Sequence, residues 1–298
     1  MKTNRKTNNL ITESVNPNTI DIDISSTKKI IKLICDEDRK ISKAVYAQRE
    51  SIEAAIELIY KQSKNGGRIF FVGAGTSGRL GVIEAAECPP TFGTSPSAVQ
   101  AIIAGGNKAI LNSIEGAEDS HTESTDELRK RKLNKNDVVV GIAASSTTPF
   151  VLGAINYAKQ IKAQAVLITF NPAKKNIADI IISPILGPEA IVGSTRMKAG
   201  TATKMILNMI TTTVMIKLGK TYKNLMVDVQ PKSEKLRNRA KRIVKQLVKT
   251  NYRKAQSLLE DSGWDVKTAV VMGKRKMTYL EAKALLSKHG GFLRKALQ

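Results

Sequence analysis

The stretch GGRIFFVGAGTSGRLGVIEAAECPP, residues 66–90, constrains the fold of this chain more than any other. A continuous apolar run, Ile69–Val72, leads into Gly73, Gly75 and Gly78, spaced G-x-G-x-x-G, and then into a helical pattern. An unbroken apolar strand has no face fit for water, so it belongs in a sheet covered on both sides. A glycine turn feeding a helix is the joint that such sheets use. The arrangement recurs at NDVVVGIAASSTTPFVLGAINYAKQI: apolar strand, small-residue loop, helix. Further short strands are expected in VQAIIAGG, AQAVLITFNP and ADIIISPILGPE. Strands alternating with helices predict an α/β fold, a doubly wound parallel sheet flanked by helices. Ligands of such sheets lie at the carboxyl ends of the strands, so the loops after Val72 and Ile142 are expected to face one site.

Around this sheet the pattern is helical. A helix is expected to start near Ser25 or Ser26, both suitable N-caps. A second, in RESIEAAIELIYKQSKNGG, is closed by Gly66–Gly67. The helix after the glycine turn is expected over about Ser77–Ala86, because Pro89 and Pro90 lack the N–H that a helix interior needs. NKAILNSIEGAEDS reads as a helix or turn region, and a long helical segment is expected over about Ser194–Leu218. Residues 1–25 are polar and read as extended. From about Glu234 onward every segment is helical, which predicts a small all-helical C-terminal subdomain. The expected division is an N-terminal segment and helix over 1–50, a ligand-binding domain over 51–233 and the helical domain over 234–298.

Composition removes several functions. Two cysteines, Cys35 and Cys88, and two histidines, His121 and His289, supply no disulfide framework and no metal-ligand cluster. No metal is expected, and the cysteine usage suits a reducing cytoplasm. The N-terminus carries charge but no apolar core of signal-peptide length. The longest membrane candidate, Met205–Ile216, is interrupted by Thr and Asn, so no membrane partner is expected. The net charge of +22 raises the question of a polyanion. Yet the lysines are scattered and rarely alternate with aromatics, which argues against nucleic acid as a partner. The densest basic stretch, PKSEKLRNRAKRIVKQLVK, has apolar residues at helical spacing and reads as an amphipathic helix with a solvated basic face.

The glycine turn fits no dinucleotide. A nicotinamide site needs an acid about 20 positions on, at the end of the second strand, and here that strand ends in Ala104-Gly105-Gly106. The Gly-Lys-Ser/Thr of a nucleotide P-loop is also missing. The turn does offer Gly75, Thr76 and Ser77 at a helix start, followed by Arg79. Hydroxyls, backbone N–H groups and the positive end of the helix dipole suit a phosphate. The second loop offers Ser145, Ser146, Thr147 and Thr148 in the matching place. Two hydroxyl-rich loops suggest one phosphate on a polyhydroxy ligand, although Ser and Thr also serve simply to cap helices.

Several motifs together, VGAGTSGRLGVIEAAECPPTFG, EGAEDS, DVVVGIAAS, GPEAIVGSTRMKAGTATKMILNMI and KLGKTYKNLMVDV, resemble the N-acetylmuramic acid 6-phosphate etherases, members of the sugar isomerase (SIS) domain superfamily. The resemblance runs from LITESVNPNTIDIDISS to the terminal HGGFLRKAL. It implies an SIS-type sheet, a small helical C-terminal domain, a homodimer, an amino-sugar phosphate as small-molecule partner, and no cofactor. The implied reaction is cleavage of the D-lactyl ether of N-acetylmuramic acid 6-phosphate in peptidoglycan recycling. Such an elimination needs one base and one acid, and two carboxylates suffice. By resemblance the catalytic pair is Glu87, as acid to departing lactate, and Glu118, as base at C2. The sequence itself does not distinguish the roles, and Glu84, Glu115 and Asp119 compete for them. Phosphate and sugar contacts are expected from Gly75, Thr76 and Ser77, from Ser145 to Thr148, and from Ser194 and Thr195. Arg196 and Lys198 either add charge there or meet a partner subunit.

One departure matters. The family it resembles usually reads AASGRTPY where this chain reads AASSTTPF, so Ser146 stands for glycine, Thr147 for arginine and Phe150 for tyrosine. A glycine suits a positive φ, in which case Ser146 strains the loop. Loss of the arginine removes a bidentate anion contact. The altered loop favours a non-catalytic sugar-phosphate sensor as the alternative, and retention of both acids favours the enzyme. An aldose–ketose isomerase shares ring opening and C2 proton removal, but ECPPTFG together with EGAED favours the etherase.

Overall fold

A computed structural model describes residues 10–231 and 233–298. The described residues divide into two compact units, 10–85 with 97–211, and 86–96 with the described part of 212–298. The reading of 1–9 as polar and extended, and Lys232 of the basic stretch, lie outside the described residues.

In the first unit, helices α1 (Thr27–Ala47) and α2 (Arg49–Lys64) precede strand β1 (Ile69–Gly73). Ser26 caps α1 by accepting from the Lys29 N–H, and Gly66 follows α2 with φ +82°. After β1 come α3 (Gly75–Phe92), β2 (Val99–Ile103), the short α4 (Lys108–Leu111) and α5 (Glu123–Lys130). Then follow β3 (Val138–Ile142), α6 (Pro149–Gln160), β4 (Gln164–Ile168), β5 (Ile180–Ile182) and α7 (Lys198–Lys217). The five strands form one parallel sheet in the order β2-β1-β3-β4-β5. Every residue of β1 and β3 is buried, as a sheet covered on both faces requires. Phe70, Val72, Val139 and Leu167 of the sheet share a core with Phe150, Ala154 and Ile155 of α6 and Leu128 of α5.

The register of β1 on β3 pairs Gly73 with Ile142, which brings their two following turns side by side. It is held at the opposite end by buried Asp137. Its carboxylate accepts from the Arg68 backbone N–H at 2.8 Å and from the Arg68 guanidinium at 2.6 Å. Removing one member of such a pair costs about 3–5 kcal/mol, since it strands a buried charge.

Three expectations need correction. Helix α3 does not stop before its prolines but continues through Pro89 and Pro90 to Phe92, where the Gly93 N–H donates to the Pro89 carbonyl. The prolines cost the carbonyls of Ala85 and Ala86 their usual donors, and the division between the units falls at this point. Residues 10–25 are not extended: they carry 3-10 turns at Ile11–Glu13 and Pro17–Thr19. The long helix α7 begins at Lys198, not Ser194, because Glu189 accepts from the backbone N–H groups of Lys198 and Ala199 and so fixes its first turn. Helix α5, ESTDELRK, has Leu128 as its one apolar side chain and so leaves no helical signal in the sequence.

The second unit holds a small antiparallel pair, β6 (Thr221–Tyr222) with β7 (Leu225–Met226), and helices α8 (Glu234–Val248), α9 (Tyr252–Asp261), α10 (Val266–Arg275), α11 (Tyr279–Lys288) and α12 (Leu293–Leu297). Its own core packs Val244, Leu259, Val270 and Leu286. Helix α11 starts in a capping box, Thr278 and Glu281 bonding each other's backbone N–H. The division between the units falls inside α3 and α7.

Candidate active site

In the order β2-β1-β3-β4-β5 the direction of winding reverses between β1 and β3, which is where ligands of such sheets bind. A cavity of about 270 Å³ opens there. The glycines of the β1–α3 turn have separate tasks. Gly75 takes φ +54°, a conformation that L side chains rarely adopt. Gly73 and Gly78 let the strand end touch the helix start. A Cβ on Gly78 would lie 2.6 Å from the Gly73 carbonyl oxygen and 2.6 Å from Ile103 Cγ1. The G-x-G-x-x-G spacing therefore serves backbone proximity, and it leaves Gly75, Thr76 and Ser77 lining the cavity at the N-terminus of α3.

Across the cavity stands the β3–α6 loop. Ser145 and Thr148 line it, with Ser145 Oγ 3.4 Å from Thr148 Oγ1. Ser145 also accepts from the Thr147 backbone N–H at 3.3 Å and the Thr147 hydroxyl at 3.1 Å. Thr147 itself is exposed. Ser146 is buried with φ +63°, and its hydroxyl donates to the Pro172 carbonyl at 3.3 Å. Ser146 thus holds a left-handed backbone, at a cost of about 1–2 kcal/mol for an L-residue.

The third wall carries the acids. Glu118 lies partly buried in a 3-10 turn, Ala117–Asp119, entered by Gly116 at φ +77°. Glu115 lines the same wall and accepts from the Ser113 hydroxyl at 2.9 Å. Arg79 anchors this wall: Nε donates to the Ile110 carbonyl at 3.0 Å and Nη2 to the Asn112 carbonyl at 2.8 Å. Sequence placed Arg79 beside the hydroxyls without showing that carbonyls occupy its guanidinium.

Of the other expected residues, Thr195 lines the cavity, whereas Ser146, Thr147 and Ser194 are not in its walls. Glu87 belongs to the second unit and is exposed on α3. Its neighbour Glu84 is buried and accepts from Thr211 and Asn208 of α7. Lys198 is buried and spent on Glu37, 2.5 Å away, and on the Leu186 carbonyl, while Arg196 is exposed. Burial pushes the Glu37 carboxyl up, but hydrogen bonds from Lys198, Lys40 and Asn18 outweigh this and hold it at about 2. The second unit has a wider depression of about 580 Å³, where Asp228 pairs with Lys267 at 2.7 Å and Lys220 at 3.0 Å. Among the described residues no three His, Cys, Asp or Glu side chains are grouped to hold a metal ion, and no helix is long and apolar enough to cross a membrane.

A parallel sheet wound 2-1-3-4-5, with a cavity lined by hydroxyls and a helix start at its switch point, defines a doubly wound α/β protein with a small-molecule site. The glucokinase regulatory protein N-terminal SIS domain matches residues 51–159. Over its whole length the chain is similar to N-acetylmuramic acid 6-phosphate etherases. That of Clostridium botulinum is 47% identical over 298 residues, covering 99% of each chain. That of Vibrio atlanticus is 48% identical over 291 residues, 97% of this chain and 95% of that one. A solved phosphoheptose isomerase from Neisseria gonorrhoeae aligns with a TM-score of 0.47 at 16% identity, over 63% of this chain and 97% of that one, a likeness that carries no further argument. The chain belongs to the N-acetylmuramic acid 6-phosphate etherase family.

Proposed function

We propose that this enzyme cleaves the D-lactyl ether of N-acetylmuramic acid 6-phosphate, giving N-acetylglucosamine 6-phosphate and D-lactate. The observation that carries the reading is the cavity at the switch point. Hydroxyls and helix-start amides stand on two walls and Glu118 on the third, in a chain 47% identical throughout to a named etherase. The amides and hydroxyls of Thr76, Ser77, Ser145 and Thr148 take the phosphate, and the N-terminus of α3 adds the favourable end of its dipole.

The chemistry follows from the sugar. Ring opening places an aldehyde beside C2 and makes the C2 proton removable. Glu118 takes that proton, the electron pair forms a C2–C3 double bond, and the C3–O bond breaks. An acid, assigned to Glu87, protonates the departing lactate oxygen. Water then adds across the double bond, its hydroxyl to C3 and a proton to C2. Homodimerisation, a cytoplasmic location and a part in amino-sugar recycling belong to the same reading.

Proton NMR of the protein with N-acetylmuramic acid 6-phosphate in deuterated water tests it. Lactate release with deuterium at C2 of the product is expected. Glu118→Gln should abolish both signals, and Glu87→Gln should abolish release while leaving C2 exchange. A second reading, a sugar-phosphate sensor without turnover, draws on the left-handed Ser146 in place of glycine. Saturable binding of the sugar phosphate with neither lactate nor exchange would select it.

A further inference from the structure

The N-terminal segment was assigned no role by its sequence, yet Thr12 and Glu13 line the cavity. Long-range hydrogen bonds sew this segment in place. Buried Asn171, in the NP step after β4, accepts from the Ile11 backbone N–H at 2.6 Å and donates to the Thr12 hydroxyl at 2.9 Å. The same amide nitrogen donates to the Ala144 carbonyl at 2.8 Å, at the root of the β3–α6 loop. The Gly193 N–H donates to the Thr12 carbonyl at 3.2 Å. A Cβ on Gly193, whose φ is +71°, would come within 3.0 Å of Glu13 Oε2. One amide side chain thus sets the N-terminal segment against a phosphate-facing loop, and the GSTR loop backs the Glu13 carboxylate.

Glu13 is exposed at the cavity, and among the described residues no hydrogen bond ties its carboxylate. A carboxylate accepts hydrogen bonds and repels anions. It therefore suits neither the phosphate nor the lactyl carboxylate, and it suits a neutral N–H or O–H donor of the sugar. We propose that Glu13 is a specificity-determining residue, accepting a hydrogen bond from the neutral part of the bound sugar. The inference rests on reading the cavity as a sugar-phosphate site.

Calorimetric titration of the full chain with N-acetylglucosamine 6-phosphate, glucose 6-phosphate and inorganic phosphate tests it without any turnover. Glu13→Ala should weaken the sugar phosphates about tenfold or more, the worth of a charge-assisted hydrogen bond, and leave inorganic phosphate unchanged. Glu13→Gln, which keeps an acceptor, should lose less. A larger loss for the N-acetyl sugar would identify the acetamido N–H as donor, and an equal loss a ring hydroxyl. Affinities of Glu13→Ala within about twofold of the parent, or a parallel loss for inorganic phosphate, would overturn the proposal. Absence of sugar-phosphate binding by the parent would overturn both this inference and the proposed reaction. Binding without lactate release would overturn only the latter.

Discussion

The turn after β1 reaches its helix with one residue between, Ala74, whereas the loop after β3 runs from Ala143 to Thr148 before α6 begins at Pro149. Both present hydroxyls to one cavity. The short turn achieves this by backbone contact: Gly73 and Gly78 touch, and Gly75 supplies the positive φ. The long loop achieves it through side chains, with Ser145 accepting from Thr147 and standing beside Thr148. Where the short turn uses glycine for its left-handed residue, the long loop uses Ser146. Where Gly73 meets Gly78 the short turn has no room for a Cβ, while the loop built on side-chain bonds absorbs a strained serine.

The largest expected effect lies outside both turns and sets the pH window for comparing them. The Glu37 carboxyl is held at about 2 in the folded protein, against 4.5 ordinarily. A lowered folded pKa contributes stability that is complete above the unfolded value and is lost as pH falls through the folded one. Glu37 thus contributes about 3 kcal/mol at neutral pH, fading between about pH 5 and pH 2. Urea midpoints of the parent and Glu37→Gln should differ clearly at pH 7 and converge in acid. A gap that persists unchanged at low pH would deny the linkage.

Gly78→Ala comes next. Its Cβ meets backbone on one side and Ile103 on the other, so a loss of about 2–3 kcal/mol in urea unfolding is expected from overpacking. A near-neutral result would break the contrast between the turns. Ser145→Ala should leave the fold intact and raise KM for the sugar phosphate about tenfold, since it removes a hydroxyl facing the anion and the organiser of its loop. An unchanged KM would return the whole phosphate to the β1–α3 turn. The smallest effect is Ser146→Gly. Relief of the left-handed serine is partly offset by glycine's freedom in the unfolded chain and by the lost bond to Pro172. A gain of about 0.5–1 kcal/mol in thermal unfolding is expected. Destabilisation would mean that the serine hydroxyl matters more than the strain.

The alternation of strands and helices, the glycine turn, a helix cap at Ser25 or Ser26 and the hydroxyls of each of the two loops follow from the sequence by itself. Each is a short-range matter: periodicity, a cap or a turn needs residues only a few positions apart. The catalytic assignments came from whole-chain resemblance, because one glutamate among many carries no local signal. What the tertiary structure decided is long-range. Asn171 reaches back 160 residues to Ile11 and makes the N-terminal segment a wall of the cavity. Arg79 spends its guanidinium on the carbonyls of Ile110 and Asn112. Lys198, which the sequence leaves open as a charge at the site or a partner contact, is buried on Glu37. Local propensity gave α3 an end before Pro89, and the folded chain carries it to Phe92. In each case a buried polar group or a helix end takes its partner from whatever packing brings near, and sequence separation holds no record of that neighbour.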